Sequence, residues 1–500
     1  MSRSGRRCFA LSAIPLLALG CGAQLATPGG EARADAAGAA EIEQSVGLVD
    51  APALAAYVGE IGTRLVGSSA GVRGDVEYRF QLLDLAEPNA FALPGGTLYI
   101  SRGLLALLNG EDELANVVAH EIAHVSERHH LKHALRQTPF VPVQVATGIA
   151  SGLLELAAWP LGRLGESVRP VGAAVALLGR APGALVLASH SRGQENEADA
   201  QGQELAAAAG WDPAGMTRVM EALARDAERR GGDPGAQSFL ATHPSAPDRV
   251  ATTQRRAADL ARADAPPFAR DRKRFLAALD GLLVGESARG GVVDGSRFLH
   301  ADLGITTAFP DGWQVVNGVN HVSASPPDAG DAAPLATLTV AGDGDDPDAV
   351  ARSLLAQSPF EPDGELVHGR IGALRAAHVE GRDRSGRTVY RAAVHWIAHG
   401  GRVYQIVGAA PERVFELHRA ELAGIAESFR PLEDRDRHRI VEARLRTIES
   451  LRGETLAALL ERHPGAWDLA TAAAANALPE DVVFDAPRPV KLAFWELYTP

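Results

Sequence analysis

The stretch "LANVVAHEIAHVSERHH", residues 114–130, carries His120 and His124 four apart, with Glu121 directly after the first. On an α-helix, residues four apart lie one turn above each other, about 6 Å along the axis, on one face. Two imidazoles so placed can close on one zinc ion through ring nitrogens. Glu121 lies to one side of that pair, where it can take a proton from a metal-activated water. A catalytic zinc site also needs a third protein ligand and an open position. The five-residue pattern is short enough to arise by chance on a solvated helix end, so the third ligand decides the matter.

"SRGQENEADA", residues 191–200, offers one. Glu195 and Asp199 are one helical turn apart. Glu195 can bind zinc, and Asp199 can accept a hydrogen bond from the second nitrogen of a ligand histidine, fixing its tautomer. Glu197 points elsewhere and is the weaker candidate. Taken alone, these acids also fit a solvated helix face, which is the commoner case.

The elements that must position these groups are legible nearby. The histidine helix starts near "NGEDELANVV", where Asn109 or Glu111 can satisfy free amides and acids suit the helix dipole. Leu114, Val117, Val118, Ile122 and Val125 supply its apolar faces. The helix carrying Glu195 is stopped by Gly210 and Pro213. Upstream, Leu54, Tyr57, Val58, Ile61 and Leu65 recur at helical spacing. "DVEYRFQLLDLAEPNAFALPGGTLYISRGLLALL" reads as strand, turn, strand, helix.

"NAFALPGGTLYISRGLL", "HEIAH", "ExxAD" and "THPSAPDRV" occur in that order. This resembles the gluzincin metallopeptidases of the CAAX-prenyl-protease and HtpX superfamily. Within it the chain most resembles the soluble periplasmic BepA and LoiP branch, with mitochondrial OMA-type proteases as relatives. The resemblance covers residues 41 to 260. It implies one zinc per chain held by His120, His124 and Glu195, with Glu121 as general base and Asp199 behind a ligand. It also implies that the strand after "NAFALPGG" lies beside an extended substrate, whose main chain pairs with the strand's edge. His243 matches a loop histidine that can occupy the open metal position and hold the enzyme off; alternatively His243-Pro244 simply caps a turn. His129, His130 and His133 match no motif and read as a solvated helix end. The branch's helical repeats are missing, since no 34-residue repeat is found.

The formal charge is −13, from 62 acidic and 49 basic residues, which argues against nucleic acid as a partner. "MSRSGRRCFALSAIPLLALGCGAQ" has a basic head, a short apolar core and a small residue before Cys21, the marks of a secretory leader over residues 1–20. "LALGC" resembles the bacterial lipobox, which implies lipidation of Cys21, a membrane anchor and a place on the periplasmic face of the outer membrane. Cleavage there removes Cys8, leaving one cysteine and no internal disulfide. Residues 21–40 are small and polar and read as a tether. Residues 138–190 are rich in Ala, Gly and Leu, but prolines interrupt them and no clean span emerges.

The expected fold is α+β. A mainly helical zincin-type domain with a small sheet covers 41–265, and an α+β accessory domain covers 295–432. The latter includes a hairpin turning at Gly400-Gly401. Residues 437–497 read as strand, helix, helix, strand. With Gly453-Glu454-Thr455-Leu456, an ending at Asn476 and "VKLA", they resemble a LysM-type module; that implies binding of N-acetylglucosamine polymers such as peptidoglycan. Glu454 departs from the usual Asp. The leading functional expectation is a zinc endopeptidase of the cell envelope acting on misfolded or misassembled envelope proteins. An assembly or cell-wall-binding scaffold with latent activity is the alternative from another class, and an intramembrane protease is the weakest reading.

Overall fold

The computed structural model describes residues 27–69, 71–136, 190–229, 239–243, 247–261, 272–318, 321–327, 333–384 and 388–500. The expected leader, Cys21 and residues 138–189 lie outside the described residues. Among those described, no helix is long and apolar enough to cross a membrane. Two compact units result. One combines the described residues up to Leu282 with Leu445–Ala493; the other is built from Leu283–Arg444 and Phe494–Pro500.

The first unit begins with a helix where a tether was expected. Helix α1 spans Pro28–Ser45, with Pro28 in its first turn and Thr27 Oγ1 accepting the Gly30 amide. Its buried face sets Glu31 and Asp35 beside Gly30, Gly38 and Ile42, and those two acids hid it in the sequence. Glu31 pairs with Arg73 at 2.7 Å, and Asp35 with Arg79 at 2.8 Å. Helix α2, Pro52–Val66, buries Leu54, Tyr57, Val58, Ile61 and Leu65, as their spacing requires. Strands β1 (Arg79–Leu83), β2 (Ala90–Ala92) and β3 (Thr97–Ser101) form a sheet in the order β1-β3-β2. The strand after the "PGG" turn is therefore the middle one, and both of its edges are taken. The outer edge belongs to β2, inside the "NAFA" stretch itself.

Helix α3, Arg102–Leu107, leads into α4, Glu111–Ser126, the helix of the two histidines. Every residue of α4 from Glu111 to Val125 is buried. Neither Asn109 nor Glu111 caps it. Gly110 holds the cap position, and Glu113 reaches back to accept the Asn109 amide at 2.7 Å. Glu111 accepts hydrogen bonds from the Tyr57 hydroxyl at 2.6 Å and the Trp211 indole at 2.9 Å. Acids at this end also complement the positive end of the helix dipole.

A left-handed residue, Arg128 at φ 51°, then turns the chain into α5, His129–Arg136. Helices α6 (Arg192–Ala208), α7 (Gly215–Arg229), α8 (Phe239–Thr242), α9 (Pro247–Leu260) and α10 (Arg272–Ala278) follow. The α6 helix packs along α4 at close range. A Cβ added to Gly202 would sit 2.9 Å from the His120 backbone nitrogen. Only glycine permits that approach.

The C-terminal segment has the expected strand, helix, helix, strand order: Val441–Glu449, Leu456–Arg462, Leu469–Ala475 and Pro489–Leu497. Asn476 ends the second helix and holds the last strand, donating to the Lys491 carbonyl and accepting its amide, each at 2.8 Å. The expected separation of this segment from residues 41–265 does not hold, because Lys491 is aimed inward. Its Nζ donates to the carbonyls of Ala106 at 2.6 Å and Leu108 at 2.5 Å. Asn109 Nδ2 donates to the Ala475 carbonyl at 3.1 Å, and Arg272 to the Asn109 carbonyl at 2.7 Å. The loop between α3 and α4 is thus tied down by residues from the far end of the chain.

The second unit is α+β, as expected, though wider than 295–432. Its main sheet runs through Leu374–Asp383, Tyr390–His399, Arg402–Pro411, Leu335–Asp343 and His321–Ser325 in that order, with shorter strands at its ends. Phe415, Leu422 and Ile425 of helix Phe415–Glu427 join one core cluster with the sheet. Ala351 of helix Pro347–Ala356 joins the other. The hairpin turns where the sequence places it, with Gly400 at φ 61° and Gly401 at φ 76°, the positive pair a two-residue turn demands.

Two outcomes test this packing. Gly202→Ala is expected to force α6 off α4 and cost about 1–3 kcal/mol in chemical denaturation. It should also weaken metal uptake; a variant as stable as wild type would remove the close approach as a constraint. Lys491→Met is expected to cost about 1–3 kcal/mol for each carbonyl left without a donor. An unchanged urea midpoint would show that the contact does not hold the two ends together.

Candidate metal centre

His120 and His124 lie one turn apart on α4, their Nε2 atoms 3.0 Å from each other. Glu195, in the first turn of α6, faces them. Its Oε2 is 3.6 Å from His120 Nε2, and its Oε1 is 3.5 Å from His124 Nε2. A capping box fixes that turn, with Ser191 Oγ accepting the Gln194 amide and the Gln194 side chain accepting the Ser191 amide. His243, just beyond α8, completes the group. Its Nδ1 is 3.1 Å from both Glu195 oxygens and 3.3 Å from His120 Nε2.

One donor atom from each of His120, His124, Glu195 and His243 lies within 4.8 Å of the others, and all four residues are buried. Glu121 stands beside the group, its Oε1 3.5 Å from His243 Nε2. That oxygen is buried without a hydrogen-bond partner. The Ala92 backbone, on the edge strand β2, hydrogen-bonds the Glu121 carboxylate. The sequence-predicted groups therefore converge, and the edge strand meets them at the general base.

Asp199 is where its spacing puts it, with Oδ1 3.1 Å from His120 Nδ1. Behind it stands Arg249 of "THPSAPDRV", a residue that its place in the sequence does not mark as part of the site. Arg249 donates to both Asp199 oxygens at 2.8 Å and lies 2.9 Å from Glu195 Oε2. A bidentate guanidinium of this kind fixes a carboxylate plane. Arg249 Nη1 also reaches the His243 carbonyl at 3.4 Å, so one residue braces both acids and the loop histidine.

Two more histidines belong to the neighbourhood. His190 is 8% exposed, its ring is 4.0 Å from that of His124, and its Nδ1 has no hydrogen-bond partner. His129, expected on a solvated helix end, is fully buried with Nδ1 2.9 Å from His124 Nδ1. Its Nε2 is 3.1 Å from Glu197, the acid read as pointing elsewhere. The left-handed turn at Arg128 brings this ring back under α4, and a short run of polar residues gives no sign of it.

The electrostatics follow from burial and pairing. Burial pushes the Glu121 carboxyl up, against the pull of His243 and His120, which suits a group that must accept and return a proton. Burial would also raise Glu195, but His243 and His120 outweigh it and hold that carboxyl well below its usual range. Burial and the surrounding histidines keep His124 neutral. Burial lowers His120 too, yet the Asp199 and Glu195 carboxylates, 3.1 Å and 3.6 Å from its ring nitrogens, win and raise it to about 9. Two imidazole nitrogens and a carboxylate oxygen are the donor set a tetrahedral zinc site uses. The unpartnered Glu121 oxygen beside them fits a water held there. The residues present thus fit a zinc ion.

A model of peptidase family M48 matches residues 52–257. Those residues form an M48 domain. Over 217 residues the chain is 31% identical to the beta-barrel assembly-enhancing protease of Yersinia pestis, covering 43% of this chain and 42% of that protein. It is 30% identical over 218 residues to the Escherichia coli (strain K12) protein of the same description, again covering 43% and 42%. The mitochondrial metalloendopeptidase OMA1 of Schizosaccharomyces pombe is 31% identical over 196 residues, covering 39% of this chain and 50% of that one. The chain thus spans less than half the length of these bacterial relatives, and the similarity centres on the M48 domain.

Because a metal can displace the proton only from a charged His120, metal uptake is expected to release about one proton per site near neutral pH. The sign follows from the raised value. The proton stays bound until pH rises through about 9, so metal affinity should climb with pH up to that point and then level off. Calorimetric titration in buffers of different ionisation enthalpy reads the proton directly. A pH-independent affinity would show that His120 is not charged in the metal-free protein.

Proposed function

We propose that this protein is a zinc-dependent endopeptidase of the bacterial cell envelope, acting on misfolded or misassembled envelope proteins. One observation carries the reading: four metal-binding side chains meet within 4.8 Å beside a buried carboxylate oxygen that has no partner. His120, His124 and Glu195 would hold the metal, and Asp199 and Arg249 would brace them. A bound zinc ion supplies a Lewis acid that acidifies water and polarises the scissile carbonyl.

The chain's own residues do the rest. Glu121 takes the proton of the attacking water and passes it to the leaving amine. Its raised carboxyl is matched to both steps. The outer edge of β2 aligns an extended peptide by main-chain hydrogen bonds and delivers its carbonyl next to Glu121. His243, already in contact with Glu195 and His120, takes the position a substrate or water needs, so the resting enzyme is held off until that loop moves.

The substrate class rests on the two relatives described as beta-barrel assembly-enhancing proteases. The periplasmic setting and the lipid anchor at Cys21 rest on the leader pattern. The strand, helix, helix, strand order of residues 441–497 supports a LysM-type module, and peptidoglycan is its proposed ligand.

Zinc analysis paired with digestion of unfolded casein tests the reading. Wild type is expected to bind one zinc per chain. Glu195→Gln should lose it, and Glu121→Gln should keep it while activity falls about 10²–10⁴-fold. His243→Ala should raise activity. A wild-type protein that takes up no zinc after reconstitution would leave the scaffold reading in its place.

A further inference from the structure

His124 turns its Nε2 toward the metal-binding group, 3.5 Å from Glu195 Oε1, so its Nδ1 faces outward. That outward nitrogen lies 2.9 Å from His129 Nδ1. Two ring nitrogens at this distance share one proton. Either His124 donates and His129 accepts, or the reverse.

The other nitrogen of His129 settles which. His129 Nε2 is 3.1 Å from Glu197 Oε2, and an ionised carboxylate only accepts. Nε2 must therefore carry the hydrogen. A neutral imidazole has a single N–H, so His129 Nδ1 is left as an acceptor. His124 must then donate from Nδ1, and its free lone pair lies on Nε2, facing the metal group. One arrangement of protons satisfies all three residues.

The backbone is built to hold this line. Arg128 accepts a left-handed φ of 51°, a conformation unfavourable for a residue other than glycine. That turn carries His129 back beneath His124. Gln194 Nε2 donates to the His129 carbonyl at 3.2 Å, tying α5 to α6. Glu195 and Glu197 are two apart on α6, so one helix presents the third metal-binding carboxylate and the end of the relay.

We propose that His129 and Glu197 are positioning residues that fix His124 in the tautomer able to bind zinc through Nε2, the part that the proposed function gives Asp199, 3.1 Å from His120 Nδ1, for His120. The relay runs from carboxylate to imidazole to ligand, one residue longer than its counterpart. The proposal rests on the zinc reading above. Partners of this kind commonly change metal affinity 10- to 100-fold when removed.

Full-length variants carry the test, with folding checked by circular dichroism and zinc affinity measured by competition with a chelator. His129→Leu keeps an apolar filler but ends the relay, and about 10- to 100-fold weaker zinc binding is expected. His129→Gln can accept from His124 through its oxygen and donate to Glu197 through its nitrogen, so it should recover most of that loss. Glu197→Leu, at a half-exposed position that tolerates change, should weaken binding in the same direction and serves if His129→Leu does not fold. In the metal-free wild type, nitrogen NMR of the imidazoles should show His124 with its hydrogen on Nδ1. Wild-type affinity retained in His129→Leu or, where that variant does not fold, in Glu197→Leu, would overturn the proposal, as would a His129→Gln protein as weak as His129→Leu. Failure of wild type itself to bind zinc would instead overturn the underlying reading.

Discussion

The helix bearing His120 and His124 is enclosed on every side, and the residue that lets it be so is Gly202. A side chain there would strike the His120 backbone at 2.9 Å. With none, α6 lies against α4 closely enough for Glu195 and Asp199 to reach the two faces of the histidine pair. Protein interiors are packed near crystal density, so a displacement at this contact is not absorbed locally. It moves the carboxylates relative to the imidazoles. The metal-binding group, the bracing by Arg249 and the relay through His129 all depend on this one spacing.

Much of that arrangement was legible in the sequence. Helical period puts His120 with His124 and Glu195 with Asp199 on shared faces, and the family resemblance implies that the two pairs meet. The apolar faces of α2 and α4 and the Gly400-Gly401 turn follow for the same reason. What escaped was polar and non-local. Helix α1 is hidden because its buried face includes Glu31 and Asp35, which look like surface until Arg73 and Arg79 arrive from elsewhere. Arg249 sits in a motif that was noticed for its histidine. His129 is read as solvent-facing unless the left-handed turn at Arg128 is known. Lys491 gives no hint that its amine will be buried nearly 400 positions away in sequence; the contact with Ala106 has a separation of 385.

The charges at the two ends of α4 are arranged with similar economy. Glu111 meets a phenol and an indole at the N-terminal end, and Asp112 meets Arg218. Buried acids need such partners, since an unpaired charge in the interior is far costlier than a paired one. At the other end only imidazoles and their partners surround the metal-binding group. The helix therefore holds Glu111, Asp112 and Glu113 at the end where the dipole favours them, and Glu121 is the one carboxylate of its later turns.

The tie between Lys491 and the α3–α4 loop also sets an order of events. During synthesis the N-terminal residues emerge first, and the M48 segment has left the ribosome long before residue 491 is made. Until then the carbonyls of Ala106 and Leu108 have no lysine to meet, and the entry to the histidine helix is held by earlier residues such as Tyr57, Trp211 and Arg272. Closing so long a loop is slow, though its entropic cost grows only gently with length. Completion of the last strand thus acts as a clock. A chain still being synthesised presents this loop without its lysine, and the loop is complete only after the far end has returned.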